Sequence, residues 1–257
     1  MPDESTELAV QGLYNASISD NAEFALIGSI NHGASLWTIA NKERLYNWNH
    51  KQGEFSQITD MGFAPANDFA LTASPLTMVL WDSVTGQSFN YWNAPSEILD
   101  LDLLPGGTYV ALALVDHTAT LFDVRNGGVE RIYNHDGRVN SVDTHFSKNL
   151  LLSGSDDFSA RLWNLNTGNQ IFRWNMDEEV QLVKLSPDGS LAFTMAKYAQ
   201  AAIWNTVTGE KTGEIPLGSS AIRRGKILTS IAFSEDSEWL LTGTADRVVQ
   251  LWRTNDM

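Results

Sequence analysis

The 257-residue sequence contains no cysteine, which excludes disulfide bonds, thiolate metal sites and cysteine nucleophiles. Positive charge is also scarce, because 17 Lys and Arg residues face 31 Asp and Glu residues and leave a formal net charge of −14. Such a chain has no basic excess to neutralise phosphate groups. We therefore expect neither nucleic acid nor an anionic membrane surface as its partner.

Long apolar runs are missing as well. No window approaches the roughly 18 apolar residues of a membrane span, and no sustained 3.6-residue apolar period predicts a long helix. The first residues, Met1–Thr6, lack the basic and apolar regions of an export signal. Two localisations stay open: cytoplasmic, or bacterial and periplasmic (including a lipoprotein) after removal of an export signal.

The common signatures of catalysis are also lacking. The sequence has no G-x-S-x-G elbow, no phosphate-binding glycine loop and no G-x-G-x-x-G motif. Its five histidines include no pair at metal-ligand spacing. We therefore predict that the protein is not an enzyme and that it needs no cofactor and no metal.

What the sequence does contain is a repeat. Six segments end in an aliphatic residue followed by Trp or Phe, and these marker aromatics are 44, 41, 41, 41 and 48 residues apart. They are Trp37, Trp81, Phe122, Trp163, Trp204 and Trp252. Self-similarity at about 40 residues is typical of propeller blades, each built from four short strands.

Two further features recur at fixed distances from the marker aromatics. A turn signal follows four of them, as in Thr167-Gly168, where glycine permits the positive φ of a tight hairpin. A second large apolar residue lies eleven positions after each of the first five. These residues are Trp48, Trp92, Tyr133, Trp174 and Ile215. Each repeat therefore predicts four antiparallel strands.

These residues resemble the WD-repeat family along essentially the whole chain. The Trp-Asp ending of that family occurs literally as Trp81-Asp82 and in a varied form as Trp163-Asn164. The resemblance implies a buried hydrogen-bonding tetrad in the fourth repeat and part of one in the sixth. The implied members are His135, Ser153, Asp157 and Trp163, and then Thr242, Asp246 and Trp252. His50 and His135 each follow a second aromatic by two residues, and we interpret both as structural histidines.

The combined pattern predicts an all-β fold, namely a six-bladed β-propeller with four-stranded antiparallel blades in one domain, 1–257, that forms a monomeric ring. The predicted blades span 13–50, 54–94, 97–135, 138–176, 179–216 and 227–257. The last repeat stops after its third strand and would leave an open sheet edge. We expect Glu7–Gln11 to supply the missing strand and to close the ring, as the resemblance also implies.

A rigid ring without a catalytic constellation is best interpreted as a protein-interaction scaffold with an unidentified protein or peptide partner. The resemblance implies that the partner binds the loop face around the central channel. At the matching positions lie Arg138, Asn140 and Asp156, and then Glu179, Gln181, Lys197 and Glu97. An insertion before the last repeat adds Arg223, Arg224 and Lys226, which suggests an acidic partner. The alternative is a solvated loop that offsets neighbouring acidic residues.

A second function stays open. Asp60, Asp100, Asp102 and Asp143 fall on or near the innermost strands of the predicted blades. Carboxylates around a channel could bind a cation or support an enzyme. Strand periodicity and a water-filled channel account for these residues equally well.

Overall fold

A computed structural model describes residues 13–19, 21–29, 33–50, 57–64, 68–197, 200–216, 228–244 and 248–256. Within these ranges the chain forms 23 β-strands and two single-turn 3-10 segments, Phe146–Lys148 and Thr254–Asp256. None of the helical segments in these ranges has the length and apolar character of a transmembrane helix. The all-β prediction is confirmed.

The strands form six antiparallel sheets that follow one another along the chain. The first sheet contains β1 (Leu13–Ile18), β2 (Phe24–Ser29), β3 (Ala34–Thr38) and β4 (Glu43–Trp48). The second contains β5 (Asp60–Phe63), β6 (Phe69–Ser74), β7 (Thr77–Asp82) and β8 (Ser88–Asn93). The third contains β9 (Ile98–Leu103), β10 (Tyr109–Leu114), β11 (Thr118–Asp123) and β12 (Val129–Asn134).

The remaining three sheets repeat this arrangement. The fourth contains β13 (Val139–His145), β14 (Leu150–Ser155), β15 (Ser159–Asn164) and β16 (Gln170–Asn175). The fifth contains β17 (Val180–Leu185), β18 (Leu191–Ala196), β19 (Gln200–Asn205) and β20 (Lys211–Pro216). The sixth contains β21 (Leu228–Phe233), β22 (Trp239–Thr244) and β23 (Val249–Arg253). Strands are neighbours in sequence order in every sheet.

The sixth sheet has three strands among the described residues, whereas each of the other five has four. The predicted closing strand, Glu7–Gln11, lies outside the described residues. The chain divides into two compact units, residues 1–112 with 120–130 and residues 113–119 with 131–257. The boundary runs through the third sheet.

A bulge and a side-chain cap explain the tight turn that follows four of the marker aromatics. In the fourth sheet the register shifts between Leu162 and Trp163, and the strand then ends at Asn164. The Asn164 side chain accepts a hydrogen bond from the Thr167 N–H across 2.8 Å. Gly168 has φ 75 and donates its N–H to the Asn164 carbonyl across 2.9 Å. This hairpin is therefore specified by an Asp or Asn directly after the aromatic residue and by a glycine four positions after that Asp or Asn.

The core of the second unit lies between successive sheets. Leu152 and Leu162 of the fourth sheet pack with Val183 and Leu185 of the fifth, and all four are buried. Gly154 permits this approach, because a Cβ there would lie 2.6 Å from the nearer methyl carbon of Val180. Gly154 in the second strand therefore allows the fourth and fifth sheets to pack closely.

Candidate functional site

The four predicted tetrad residues of the fourth repeat form one chain of hydrogen bonds. Trp163 Nε1 donates to Ser153 Oγ across 2.8 Å. Ser153 Oγ lies 2.7 Å from His135 Nε2, and His135 Nδ1 lies 3.0 Å from Asp157 Oδ2. His135 follows β12, and Asp157 lies in the turn between β14 and β15. The chain of bonds therefore fixes that turn on the strands behind it.

The proton positions follow from what each group can accept. An ionised carboxylate only accepts, so His135 Nδ1 carries the proton, and Nε2 accepts from the Ser153 hydroxyl. Burial lowers the pKa of His135, although the hydrogen bond to Asp157 opposes this effect, and the ring stays neutral at pH 7. Burial alone would raise the pKa of Asp157, but hydrogen bonds from His135, Ser159 and the Asp136 N–H hold it well below its usual range.

Arg161 completes this network and was not predicted from the sequence. Its Nη2 lies 2.7 Å from Asp157 Oδ2 and 3.1 Å from Asp136 Oδ2, and its Nη1 donates to the Asn134 carbonyl across 3.1 Å. The sequence feature that could have indicated this role is an arginine in a strand whose neighbouring positions are small or apolar. A buried cation in such a strand needs a carboxylate partner.

The second sheet builds a related network without a carboxylate. His50 Nε2 lies 2.9 Å from Thr72 Oγ1, which also accepts from Trp81 Nε1 across 2.8 Å. His50 Nδ1 lies 2.7 Å from Thr77 Oγ1. Two residues separate β6 from β7, whereas three separate β14 from β15. The shorter turn has no place for the aspartate, and a threonine hydroxyl takes over its hydrogen bond.

The sixth and fifth sheets keep only part of the network. Trp252 Nε1 donates to Thr242 Oγ1 across 2.9 Å, whereas Asp246 lies outside the described residues. In the fifth sheet Trp204 Nε1 donates to Thr194 Oγ1 across 2.9 Å, and the Met176 sulfur lies 3.9 Å from that hydroxyl. Both sheets therefore keep the bond from the tryptophan but not the histidine.

The second aromatic of a repeat connects one sheet to the next. Trp48 stacks on Trp81 with ring centroids 4.9 Å apart, and Trp174 stacks on Trp204 at 5.2 Å. Each also donates a hydrogen bond to a backbone carbonyl of the following repeat, as Trp48 Nε1 does to Gly86 across 3.0 Å. These residues are structural contacts between sheets.

Two of the four carboxylates proposed for cation binding accept hydrogen bonds from the backbone of the next sheet. Asp60 Oδ2 accepts from the Leu101 N–H across 3.0 Å, and Asp143 Oδ2 accepts from the Leu185 N–H across 2.7 Å. Asp143 also forms an ion pair with Lys184. Burial raises the pKa of Asp60, although hydrogen bonds with Asp100 and from backbone N–H groups oppose the rise. Both carboxyl groups thus connect the first strand of one sheet to the first strand of the next.

The predicted partner-binding residues of the fourth and fifth repeats form two balanced groups. Arg138 Nε donates to Asp156 Oδ2 across 2.9 Å, and Asn140 Nδ2 donates to the other oxygen of Asp156 across 2.6 Å. Lys197 Nζ lies 2.7 Å from Glu179 Oε2. In both groups a cation of the predicted binding surface is therefore paired with a carboxylate.

The remaining predicted binding residues belong to the basic insertion before the last repeat. Arg223, Arg224 and Lys226 lie outside the described residues. Their predicted role in binding an acidic partner stays a prediction.

Six consecutive antiparallel sheets define a protein of tandem β-sheet repeats, and four of them share a hydrogen bond from the marker tryptophan to a hydroxyl group of the second strand. The sequence model of the WD domain, G-beta repeat, matches residues 128–164 and 221–253. This match shows that the chain contains WD repeats, and the other repeats described above resemble them.

Several curated proteins are similar to the chain. A guanine nucleotide-binding protein subunit beta of Oryza sativa subsp. japonica is 24% identical over 219 residues, or 78% of this chain and 57% of the relative. Periodic tryptophan protein 2 of Saccharomyces cerevisiae is 29% identical over 145 residues, or 55% of this chain and 16% of the relative. Target of rapamycin complex subunit wat1 of Schizosaccharomyces pombe is 22% identical over 207 residues, or 79% and 66%.

The aligned part of the chain thus spans a little over half of the rice relative and less than two thirds of each of the others. All three relatives are eukaryotic, and they give no support to the bacterial origin that was considered from the sequence.

Proposed function

We propose that the protein is a non-catalytic scaffold that binds another protein at the end of the fourth and fifth sheets where Arg138, Asp156 and Lys197 lie. The observation that carries this proposal is the buried network beneath that end. The Asp157 carboxylate accepts from His135 and from the Asp136 N–H across 3.0 Å each, so it joins two turns. A surface held in this way loses little conformational freedom when a partner binds.

The relatives support the same class of function. Two of them are named as a subunit, one of a guanine nucleotide-binding protein and one of the target of rapamycin complex. A subunit works through contacts with other chains. Loops on a rigid scaffold commonly supply such contacts. We carry over this general role and no particular partner.

The proposal includes the finer architecture predicted from the sequence. The six sheets act as the blades of one ring, and residues 7–11 add a fourth strand to the sixth sheet. Its support is β23, which is an edge strand among the described residues and whose Val249 and Leu251 are 67% and 60% exposed. An apolar edge strand of this kind favours pairing with another strand.

Cross-linking of the intact protein to bound partners tests the location of the binding surface. Lys197 lies in the turn after β18, at the proposed binding end, whereas Lys148 lies in the turn before β14, at the opposite end of its sheet. Affinity purification from the source organism, followed by lysine cross-linking and mass spectrometry, is expected to join partners to Lys197 and not to Lys148. Cross-links confined to Lys148 would contradict the proposed surface.

A further inference from the structure

Phe158 combines a left-handed backbone with an exposed aromatic ring. Its φ is 63, and 47% of the residue is exposed. The left-handed region is unfavourable for residues with a Cβ, and glycine, asparagine or aspartate usually occupies it. A bulky apolar side chain neither helps this backbone conformation nor gains full burial here. The fold therefore does not explain why phenylalanine occupies this position.

The corresponding turn of the third sheet shows that the backbone does not need phenylalanine. His117 follows Asp116 as Phe158 follows Asp157, and it is also left-handed, with φ 73. The His117 carbonyl accepts from the His135 N–H across 2.9 Å, and the Phe158 carbonyl accepts from the Met176 N–H across 2.8 Å. The same hydrogen bond forms with either side chain.

The surroundings of Phe158 are acidic. Backbone hydrogen bonds join its turn to two others. The Asp156 N–H donates to the Arg138 carbonyl in the turn before β13, and the Met176 N–H, in the turn before β17, donates to the Phe158 carbonyl. These three turns contain six carboxylates, and three cations among the described residues form ion pairs with members of this group. The carboxylates are Asp136, Asp156, Asp157, Asp177, Glu178 and Glu179, and the cations are Arg138, Arg161 and Lys197.

The exposed members of this group are mainly anionic. Asp136 is 80% exposed at its side chain, and Glu178 is exposed as well. Arg138 is half-exposed, but it is bound to Asp156. An apolar ring is thus presented to solvent on a hydrogen-bonded turn, and this turn and its two neighbours carry more carboxylates than cations.

We infer that Phe158 is the anchor of a protein-binding surface that takes a basic peptide segment of another protein, with an apolar side chain flanked by Lys or Arg. This inference rests on the proposed scaffold function and names its partner class. Aromatic residues near the centre of an interface commonly supply most of the binding free energy. The carboxylates would pair with the flanking cations and would speed association with a partner of opposite charge.

A random-peptide display library is the probe, selected in parallel on the wild-type protein, Phe158→Gly and the matched control His117→Gly. Both substitutions place glycine at a left-handed turn position, and only the first removes the apolar ring. We expect the wild type and H117G to enrich the same sequences, with an apolar residue between Lys or Arg residues. A synthetic peptide of that sequence is expected to bind F158G at least about tenfold more weakly, as for a hot-spot residue.

Two further measurements separate binding from folding, and a third tests the contribution of charge. The melting temperature of F158G is expected to stay within about 4 °C of the wild type, because relief of the strained backbone offsets the lost ring contacts. Phe158→Asn tolerates the same backbone conformation and is expected to lose binding in the same way. Glu178→Gln is expected to weaken binding severalfold at low salt and to have less effect at high salt.

Three outcomes would overturn the inference. Equal binding of the selected peptide by wild type and F158G would do so while the scaffold function stands. A large fall in the melting temperature of both F158G and F158N would show that the ring serves the fold. Enrichment of acidic sequences, or of none, would also overturn it, whereas the scaffold function depends on the cross-links described above.

Discussion

His135 Nδ1 and Asp157 Oδ2 lie 3.0 Å apart, and the two side chains are 0% and 4% exposed. The bond joins the segment after β12 to the turn between β14 and β15. Arg161 approaches the same carboxylate from β15. One buried carboxylate therefore fixes two turns that carry residues of the proposed binding surface, so the stability of the fourth sheet is linked to the geometry of that proposed surface.

Replacing Asp157 with Ala is expected to lower the free energy of unfolding by about 1–3 kcal/mol, because the buried His135 Nδ1 loses its hydrogen-bond acceptor. Urea denaturation followed by tryptophan fluorescence measures the loss. Asp246→Ala is the comparison, since the sixth repeat has no histidine at the matching position. It is expected to cost less. Equal losses for the two variants would contradict the role assigned to the histidine.

Arg161→Met is expected to cost about 3 kcal/mol, the scale for removing one partner of a buried ion pair. Methionine keeps much of the side-chain volume but leaves Asp157 without its cation. The double variant with Asp157→Ala is expected to lose less than the sum of the two single variants, because both changes disrupt one network. Strict additivity in denaturant titrations would show that the two side chains act independently.

The local features of the fold could be predicted from the sequence, because they depend on residues close together in the chain. The spacing of Trp81, Trp163 and Trp204 predicted the repeated sheets, and the Thr-Gly turns predicted their hairpins. The bonds among His135, Ser153, Asp157 and Trp163 were implied by the resemblance, and the structure brings these four residues together.

The parts that were not predicted depend on contacts between distant residues. Arg161 appears in the sequence as one charged residue in a strand, and only the approach of Asp136 from another turn explains it. The replacement of an aspartate by Thr77 follows from a turn shortened by one residue. The resemblance placed Arg138 and Asp156 on the same loop face, but the sequence does not show that the two side chains pair with each other across the neighbouring strands β13 and β14.

Stability is expected to fall between pH 6.5 and pH 4 because of His50. Burial lowers the pKa of His50 from its usual 6.5 to about 4, although the backbone hydrogen bond at Thr72 opposes this effect. The unfolded chain then binds one more proton than the folded chain within this window, so unfolding becomes easier as the pH falls. The contribution is complete above pH 6.5, and about 3 kcal/mol is lost by pH 4.

His50→Gln tests this assignment. Denaturant titrations of the variant and the wild type at several pH values from 7 to 4 are expected to give a smaller slope for the variant. His135 keeps part of the slope, since its pKa is also lowered. Below pH 4 both proteins are expected to lose further stability, because the pKa values of Asp157 and Asp188 are lowered in the folded state. Identical slopes from pH 7 to 4 would contradict the role of His50.

Removal of residues 1–12 tests the proposed closing strand. Among the described residues the sixth sheet ends at β23, where Val249 and Leu251 are largely exposed. A fourth strand would satisfy the backbone groups along that edge. We expect the deletion to lower the melting temperature by several degrees, since about 1 kcal/mol shifts it by roughly 2–4 °C in a domain of this size. The matched control deletes residues 1–6 and keeps Glu7–Gln11. It is expected to melt as the full chain does, because the hydrogen bonds of the strand are retained. Equal melting of both deletions and the full chain would show that residues 7–11 do not close the sheet.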